Sequence, residues 1–232
     1  MREILTGLGI FAAITAVLAV GFLLPSDDVV KDDPFEPNKI TTNLANLGDL
    51  NPDVDLVETV NPHQILSSLD TIRSGRFKYS ENTVSWRFVP PINWGNVPAQ
   101  DVVAQAIQQW AMVDPFLVSF DETGNVEDFD QAVFFMLDWQ AFHQTARKVT
   151  RYAWDIEMAD ARAARLAYAL SVIENNPDMQ IKTYRNQLIG LSDFHIQRMS
   201  HPDFGGSIQK ILELKGFKAL CDVLDGLSSC QI

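Results

Sequence analysis

Three of the four histidines in this 232-residue sequence, His143, His195 and His201, lie in its second half. A histidine there can act as a general base or hold a ligand by a hydrogen bond. A position on a helix surface, or a hydrogen bond within the core, is the structural alternative for each. No two of the three share a close helical spacing with a carboxylate partner, so the sequence predicts no metal site.

Three aromatic residues and one arginine extend this set. Trp94, Tyr152 and Trp154 are suited to stack on a ring of a ligand, and Arg162, eight residues beyond Trp154, is suited to pair with a carboxylate. These residues also have structural alternatives, because aromatic residues at helix ends commonly pack the core. For Arg162 the alternative is an ion pair with an acidic neighbour on its own predicted helix.

The two cysteines, Cys221 and Cys230, are nine residues apart. In an exported chain they are candidates for a disulfide, and Cys221 is otherwise expected to be a small buried side chain. Two cysteines are too few for a disulfide-rich scaffold or for a zinc site with four cysteine ligands.

The composition is that of a globular protein, with 47% hydrophobic and 21% charged residues. These values exclude collagen-like, coiled-coil and wholly disordered chains. A net charge of -12 without a basic stripe argues against a nucleic-acid partner, since affinity for phosphate comes from clustered Lys and Arg.

Residues 4–24 form an uncharged run of 21 residues. About 20 apolar residues match the hydrocarbon thickness of a bilayer at helical rise, so residues 1–25 are predicted to be a transmembrane helix that anchors the protein in the inner membrane. A cleaved secretion signal is the alternative, with Val17 and Ala19 at its cleavage site. Arg2 precedes the run and aspartates follow it, which predicts that the rest of the chain is periplasmic or extracellular.

Residues 26–64 are rich in Pro and Asp without a sustained apolar period, which predicts an extracytoplasmic linker. Residues 65–232 are predicted to form one domain, which starts with a short helix at about 64–72 and a strand at 83–89. The pattern is then helical, with short connections that favour antiparallel neighbours. The sequence therefore predicts an all-α fold, a stack or ring of helix pairs, with helices at about 99–119, 126–146, 155–174, 179–200 and 208–227.

Several of these segments together resemble the heparinase II/III family of polysaccharide lyases. The resemblance is carried by Asp-Glu-Thr-Gly-Asn-Val-Glu-Asp-Phe at 121–129, Leu-Asp-Trp at 137–139, and Tyr-Ala-Trp-Asp at 152–155 followed by Arg162. Upstream, Ser-Gly-Arg-Phe at 74–77 and Pro-Ile-Asn-Trp at 91–94 resemble the start of the family's helical domain, and His195 resembles a histidine before its catalytic loop. The resemblance covers about 65–227 and implies an incomplete α/α toroid.

It also implies cleavage of uronic-acid polysaccharides by β-elimination, without a cofactor. The resemblance then implies that the three aromatic residues named above stack on sugar rings, that Arg162 pairs with a uronate carboxylate, and that the three histidines act as bases or sugar ligands. A base removes the proton next to the uronate carboxyl group while preorganised donors neutralise the carboxylate. The family uses an Asn-His-Gly loop, but residues 205–216 contain neither Asn nor His, and Gln209 or Lys210 takes that place. Gln209, Lys210 and His201 are thus the catalytic candidates. The family's later catalytic Tyr and His have no counterpart before Ile232, so we expect a domain that is inactive alone.

Two functions are consistent with this sequence. In the first, the anchored domain binds, or less readily cleaves, acidic polysaccharide, and a cluster of cations in the last third of the chain is available to line a cleft: Arg185, Arg198, Lys210, Lys215 and Lys218. In the alternative, it is a non-catalytic accessory or scaffold subunit of an envelope or exopolysaccharide complex, or a truncated remnant. Apolar stripes at 129–137 and 212–224 then face a protein partner or a second copy that completes the toroid.

Overall fold

The computed structural model describes residues 68–145, 150–201, 204, 208–224 and 230. Helix makes up 67% of the described residues, which contain only two short strands, so the predicted all-α class is confirmed. The strands are β1 (Arg76–Phe77) and β2 (Trp86–Arg87). The helices are α1 (Leu69–Arg73), α2 (Asp101–Gln108), α3 (Asp114–Thr123), α4 (Val126–Thr145), α5 (Ile156–Asn175), α6 (Met179–Lys182), α7 (Arg185–Met199), α8 (Ile208–Leu212) and α9 (Lys215–Val223).

The predicted anchor at 4–24 and the linker at 26–64 lie outside these residues. Among the helices that the structure describes, none combines the length and the apolar character that a membrane span requires.

The predicted helix at 99–119 is interrupted after α2. Trp110 adopts a left-handed conformation (φ 65°, ψ 31°), a 3₁₀ turn follows at Ala111–Val113, and α3 begins at Asp114. A left-handed backbone is unfavourable for a residue with a side chain, so the burial of the Trp110 indole compensates a local cost. Pro115 fits the first turn of α3, because its ring fixes φ and it has no N–H to satisfy. The prediction of one continuous helix was therefore wrong.

Helices α4 and α5 correspond to the helices predicted at 126–146 and 155–174. Gly124 ends α3 in a left-handed conformation (φ 69°), and the Asn125 side chain then accepts the Glu127 N–H at 3.2 Å. This two-residue connection makes α3 and α4 antiparallel neighbours. The last two predicted helices are each divided, into α6 and α7 and into α8 and α9; Leu214, extended at ψ 129°, separates α8 from α9.

Helix α5 is the central helix of the described domain and packs against α7 and α9. Much of its buried face consists of alanine, and small side chains let neighbouring helices approach closely. The buried apolar residues of α5 are Ala159, Ala163, Ala164, Leu166, Ala167, Ala169, Leu170 and Ile173.

Helix α9 meets α5 at Gly216. A Cβ atom on Gly216 would lie 2.1 Å from the carbonyl oxygen of Asp160 and 2.9 Å from the Ala164 nitrogen, so only glycine fits there. The Asp160 carboxylate also accepts the N–H of Phe217 at 2.9 Å, which satisfies one of the free donors in the first turn of α9. Close packing and this hydrogen bond together fix α9 on α5.

The hairpin of β1 and β2 has a buried face and an exposed face. Phe77 pairs with Trp86, and Arg76 pairs with Arg87. Because side chains alternate along a strand, the aromatic pair points into the core and the arginine pair points outward.

Candidate functional site

The centre of the predicted site is the guanidinium group of Arg162 on α5, which is fully buried. Its Nε donates to Nε2 of His195 on α7 at 2.7 Å. Its Nη1 donates to the Gln108 carbonyl at 2.5 Å, and its Nη2 donates to the Ala153 carbonyl at 2.5 Å. Arg162 therefore ties together the end of α2, the turn before α5, and α7.

Three tryptophan rings surround this guanidinium group. Its Cζ atom lies 4.2 Å from the ring centroid of Trp139, 5.2 Å from that of Trp154 and 5.7 Å from that of Trp110. Cation–π attraction at such distances is strongest where water is excluded. Among the described residues no carboxylate forms a salt bridge with Arg162, so the rings and the three acceptors supply most of its stabilisation.

His195 completes the cluster and is also fully buried, with ring centroids 5.4 Å from Trp139, 5.4 Å from Trp154 and 5.5 Å from Trp110. Because an arginine only donates, Nε2 of His195 must accept, and the neutral ring therefore carries its proton on Nδ1. Burial, and then the charge of Arg162, hold the pKa of His195 well below its ordinary value. The histidine is neutral and inaccessible, which suits a structural acceptor and not a general base.

Trp94 is fully buried and is joined to the same cluster through Gln108. The Gln108 amide donates to the Trp94 carbonyl at 3.0 Å and accepts the indole N–H of Trp139 at 2.9 Å. The indole N–H of Trp94 donates to the Asp138 carboxylate at 2.8 Å. Trp94 thus offers neither ring face nor N–H to a ligand, and it holds the segment before α2 against α4.

His143 on α4 is a second buried histidine. Its ring stacks on Trp139 at a centroid distance of 3.9 Å. Nδ1 contacts the Trp139 carbonyl at 2.9 Å, and Nε2 contacts the Thr150 hydroxyl at 2.7 Å. A carbonyl only accepts, so Nδ1 carries the proton and Nε2 accepts from Thr150. Burial lowers the pKa of His143 to about 3, so this ring is neutral as well.

The predicted substrate-binding residues therefore divide into a buried group and one surface residue. Trp154, Arg162 and His195 lie together, with Trp94 linked to them, but their burial leaves no path for a sugar chain in this conformation. Tyr152 is half-buried and has a positive φ of 63°, and its ring lies 4.7 Å from the Arg151 guanidinium.

The predicted catalytic residues lie in other elements. His201 is half-buried just after α7, and Lys210 is exposed on α8. Gln209 belongs to α8, and its side chain lies outside the described atoms. Of the cations predicted to line a cleft, Arg198 is buried with its guanidinium 5.1 Å from the Trp154 ring, and Arg185 donates to Glu174 at 2.8 Å.

Among the buried polar groups that the sequence prediction did not include are an ion pair and a glutamine. Arg165 donates to both carboxylate oxygens of Asp114, at 2.6 and 2.5 Å, in a paired geometry that holds α3 against α5. Gln108 is the other. A glutamine one residue beyond Ile107, on the otherwise apolar side of α2, is the signal in the sequence that points to a buried hydrogen-bonding role.

The described residues also contain a disulfide and a surface groove. Cys221 and Cys230 form a disulfide with a Cα–Cα distance of 5.6 Å. An open groove of about 380 Å³ near the start of α4 is lined by residues of mixed charge: Arg73, Glu127, Asp130 and Gln131. Within the described part of the chain, no group of three or more His, Cys, Asp or Glu side chains is placed to hold a metal ion.

Comparisons with known proteins identify no relative. No protein-family model matches the chain, and no curated protein and no solved structure gives a significant match.

Proposed function

We propose that this protein is a non-catalytic, membrane-anchored domain of the heparinase II/III-like type, and that it binds acidic polysaccharide outside the cytoplasm. Residues 4–24 would hold it at the inner membrane, with 26–64 as the linker. In this proposal the helical domain is an incomplete α/α toroid.

The observation that carries the non-catalytic part is the burial of Arg162 and His195. Each of the three nitrogen atoms of the Arg162 guanidinium group already donates to a protein acceptor. The Nε2 lone pair of His195 accepts one of these hydrogen bonds, so it is not available to remove a proton. A general base has to reach the proton that it removes, to within hydrogen-bond distance or through one water molecule. A buried, neutral histidine bound to an arginine does not meet that requirement.

The packing of the helices supports the toroid part of the proposal. Helices α3 and α4 form an antiparallel hairpin across a two-residue connection, and α5 packs against both α7 and α9. Successive helix hairpins packed side by side are the unit from which such a ring is built.

A scaffold function is the alternative, and the described surface favours it less. Most of the two apolar stripes that suggested a docking face lie in the core of the domain: Phe129, Val133, Met136, Phe217, Leu220 and Val223. Phe134 and Leu212 remain exposed, and single exposed apolar side chains are ordinary on a soluble surface. A protein partner therefore has little contiguous apolar area to cover within the described residues.

The test is a binding and cleavage assay on the full chain, reconstituted in nanodiscs of neutral lipid. Polygalacturonate, alginate and heparin are each titrated at low salt, with neutral dextran as the matched control. We expect saturable binding of at least one acidic chain, none of dextran, and no ultraviolet absorbance from an unsaturated uronate product. Flat titrations with all three would overturn the binding function. An unsaturated product that scales with protein and disappears in Lys210→Ala would overturn the non-catalytic part.

A further inference from the structure

The exposed face of the hairpin concentrates positive charge in a strongly acidic chain. Between residues 74 and 100 the sequence has three basic residues, Arg76, Lys78 and Arg87, and one acidic residue, Glu81. The whole chain has a net charge of -12. A local excess of cations on such a protein is where a polyanion can approach, because local potential and not net charge governs the contact.

Arg76 and Arg87 are direct cross-strand partners on the exposed face. Their Cβ atoms are thus about 5 Å apart by the geometry of an antiparallel pair. Like charges directly opposite each other destabilise a hairpin. An anion bound between the two guanidinium groups removes that repulsion, so the pair is poised for a ligand with a carboxylate.

The aspartates that come before and after the hairpin in the sequence are already engaged, and Glu81 lies in the loop between its two strands. Asp70 pairs with Arg73 across one turn of α1, and Asp101 at the start of α2 pairs with Arg151. Among the described residues no hydrogen bond or ion pair involves the side chain of Arg76 or Arg87. Both guanidinium groups therefore keep their donors available for an external acceptor.

The hairpin holds this pair in place. Gly75, with φ 78°, lies so close to the opposite strand that a Cβ atom would be 2.6 Å from the Phe88 carbonyl oxygen. The neighbour of Arg87, Trp86, packs its ring on Phe88 at 5.1 Å and donates its N–H to the Asn96 carbonyl at 3.0 Å. Rigid support limits the entropy lost when the arginines bind a ligand.

We infer that the outward face of this hairpin, Arg76 with Arg87, is the binding site for a uronate carboxylate of an acidic polysaccharide. This inference rests on the proposed function and gives it a location. Arginine is suited to the task because its planar fork pairs with a carboxylate through two parallel hydrogen bonds. Val89, two residues beyond Arg87 and 78% exposed, adds apolar surface beside the charges on which a sugar ring can rest.

The experiment compares two double variants of the full chain in neutral-lipid nanodiscs, titrated with polygalacturonate oligosaccharide. Arg76→Gln/Arg87→Gln removes the pair, and Arg147→Gln/Lys148→Gln removes the same charge from a basic pair that follows α4 in the sequence. We expect the first variant to weaken binding about fivefold to thirtyfold, because it loses two exposed arginine–carboxylate contacts that contribute about 0.5–1 kcal/mol each. We expect the second variant to weaken binding less than about twofold. Raising NaCl from about 20 to about 150 mM should lower the affinity of the unmodified protein for polygalacturonate more than it lowers the affinity of the arginine variant.

Other outcomes separate this site from the proposed function. Equal weakening in both double variants means that net charge alone attracts the polymer, and it overturns the site. Weakening only in the Arg147/Lys148 variant also overturns the site but leaves the proposed polysaccharide binding in place. Phosphate or duplex DNA that binds the arginine pair as tightly as polygalacturonate overturns the assignment to uronate. If the unmodified protein binds no acidic polysaccharide, the proposed function fails first.

A third variant guards against misfolding. Arg76→Glu places a carboxylate opposite Arg87, which gives the hairpin an attractive pair while it removes the anion site. We expect this variant to melt no lower than the unmodified protein and to lose polygalacturonate binding. Retained binding in Arg76→Glu overturns the inference.

Discussion

Acid should destabilise this protein through His143, and the size of the effect can be worked out from its burial. The pKa of His143 is about 3 in the folded protein and 6.5 is the ordinary value expected in the unfolded chain. The unfolded state therefore binds a proton at a pH where the folded state does not, so stability is complete above about pH 6.5 and falls as the pH drops towards about 3. Each pH unit in this window costs about 1.4 kcal/mol per histidine.

At about pH 5 this loss amounts to about 2 kcal/mol for His143 alone, a large part of the stability of an ordinary domain. His195 acts in the same direction, because burial and Arg162 lower its pKa too. Carboxyl groups with raised pKa values act in the opposite direction. Burial raises the pKa of Asp160, for example, so its contribution decreases as the pH rises through the window set by its two pKa values.

The assay is urea denaturation of the protein at several pH values between about 5 and 7.5, compared with His143→Asn. The asparagine amide can still donate to the Trp139 carbonyl but does not titrate. The carboxyl groups are common to both proteins, so their effects cancel in the difference. We expect the stability gap between the two proteins to close by about 2 kcal/mol between about pH 7 and pH 5.

High salt provides the control. Salt screens surface charges but has little effect on the desolvation of a buried ring, so the gap should close in the same way at about 0.5 M NaCl. Parallel pH profiles for the two proteins would refute the reasoning, because they would mean that His143 is protonated as readily in the folded state as in the unfolded one.

Three further predictions concern single substitutions measured by chemical denaturation or thermal melting. Arg162→Lys should cost about 3 kcal/mol, because one ammonium group cannot reach acceptors in three directions and leaves buried carbonyls unpaired; a loss below about 1 kcal/mol would contradict the tie between α2, α5 and α7. Gly216→Ala should cost about 1–3 kcal/mol or more, because the new methyl group would displace α9 from Asp160; an unchanged midpoint would contradict the close contact. Arg76→Glu should stabilise the protein by about 0.2–1 kcal/mol, because it replaces repulsion with Arg87 by attraction; a lower melting temperature would contradict the cross-strand pairing.

The helical class was readable from the sequence because it depends on the period of the apolar residues. The stripes on α4 and α5 repeat at helical spacing, and the Gly124–Asn125 stop and start signals act locally. The break at Trp110 was not readable, since a left-handed tryptophan is unfavourable in isolation. It persists because ring packing within the core outweighs the local preference.

The candidate site shows the same division. Trp154, Arg162 and His195 were selected by residue type, and they do lie together. Whether these side chains are buried depends on which side of each helix faces the core. Residue type alone does not decide this, because an aromatic ring or an arginine can contact either a ligand or a neighbouring helix. The sequence analysis did not identify the exposed pair of Arg76 and Arg87, because this pair depends on the register between two short strands that are separated along the chain.

The tryptophans also make the core optically visible. All five in the sequence lie in the described domain and are at most 9% exposed: Trp86, Trp94, Trp110, Trp139 and Trp154. Trp110 and Trp139 meet edge to face at 5.5 Å, and Trp139 and Trp154 do so at 5.4 Å. Indole rings that are this close together and shielded from water should fluoresce at short wavelength. Their electronic transitions should also couple strongly, which gives a clear near-ultraviolet circular dichroism signal. Loosening of the contacts around Arg162 can therefore be followed without any label, even where the helices themselves survive.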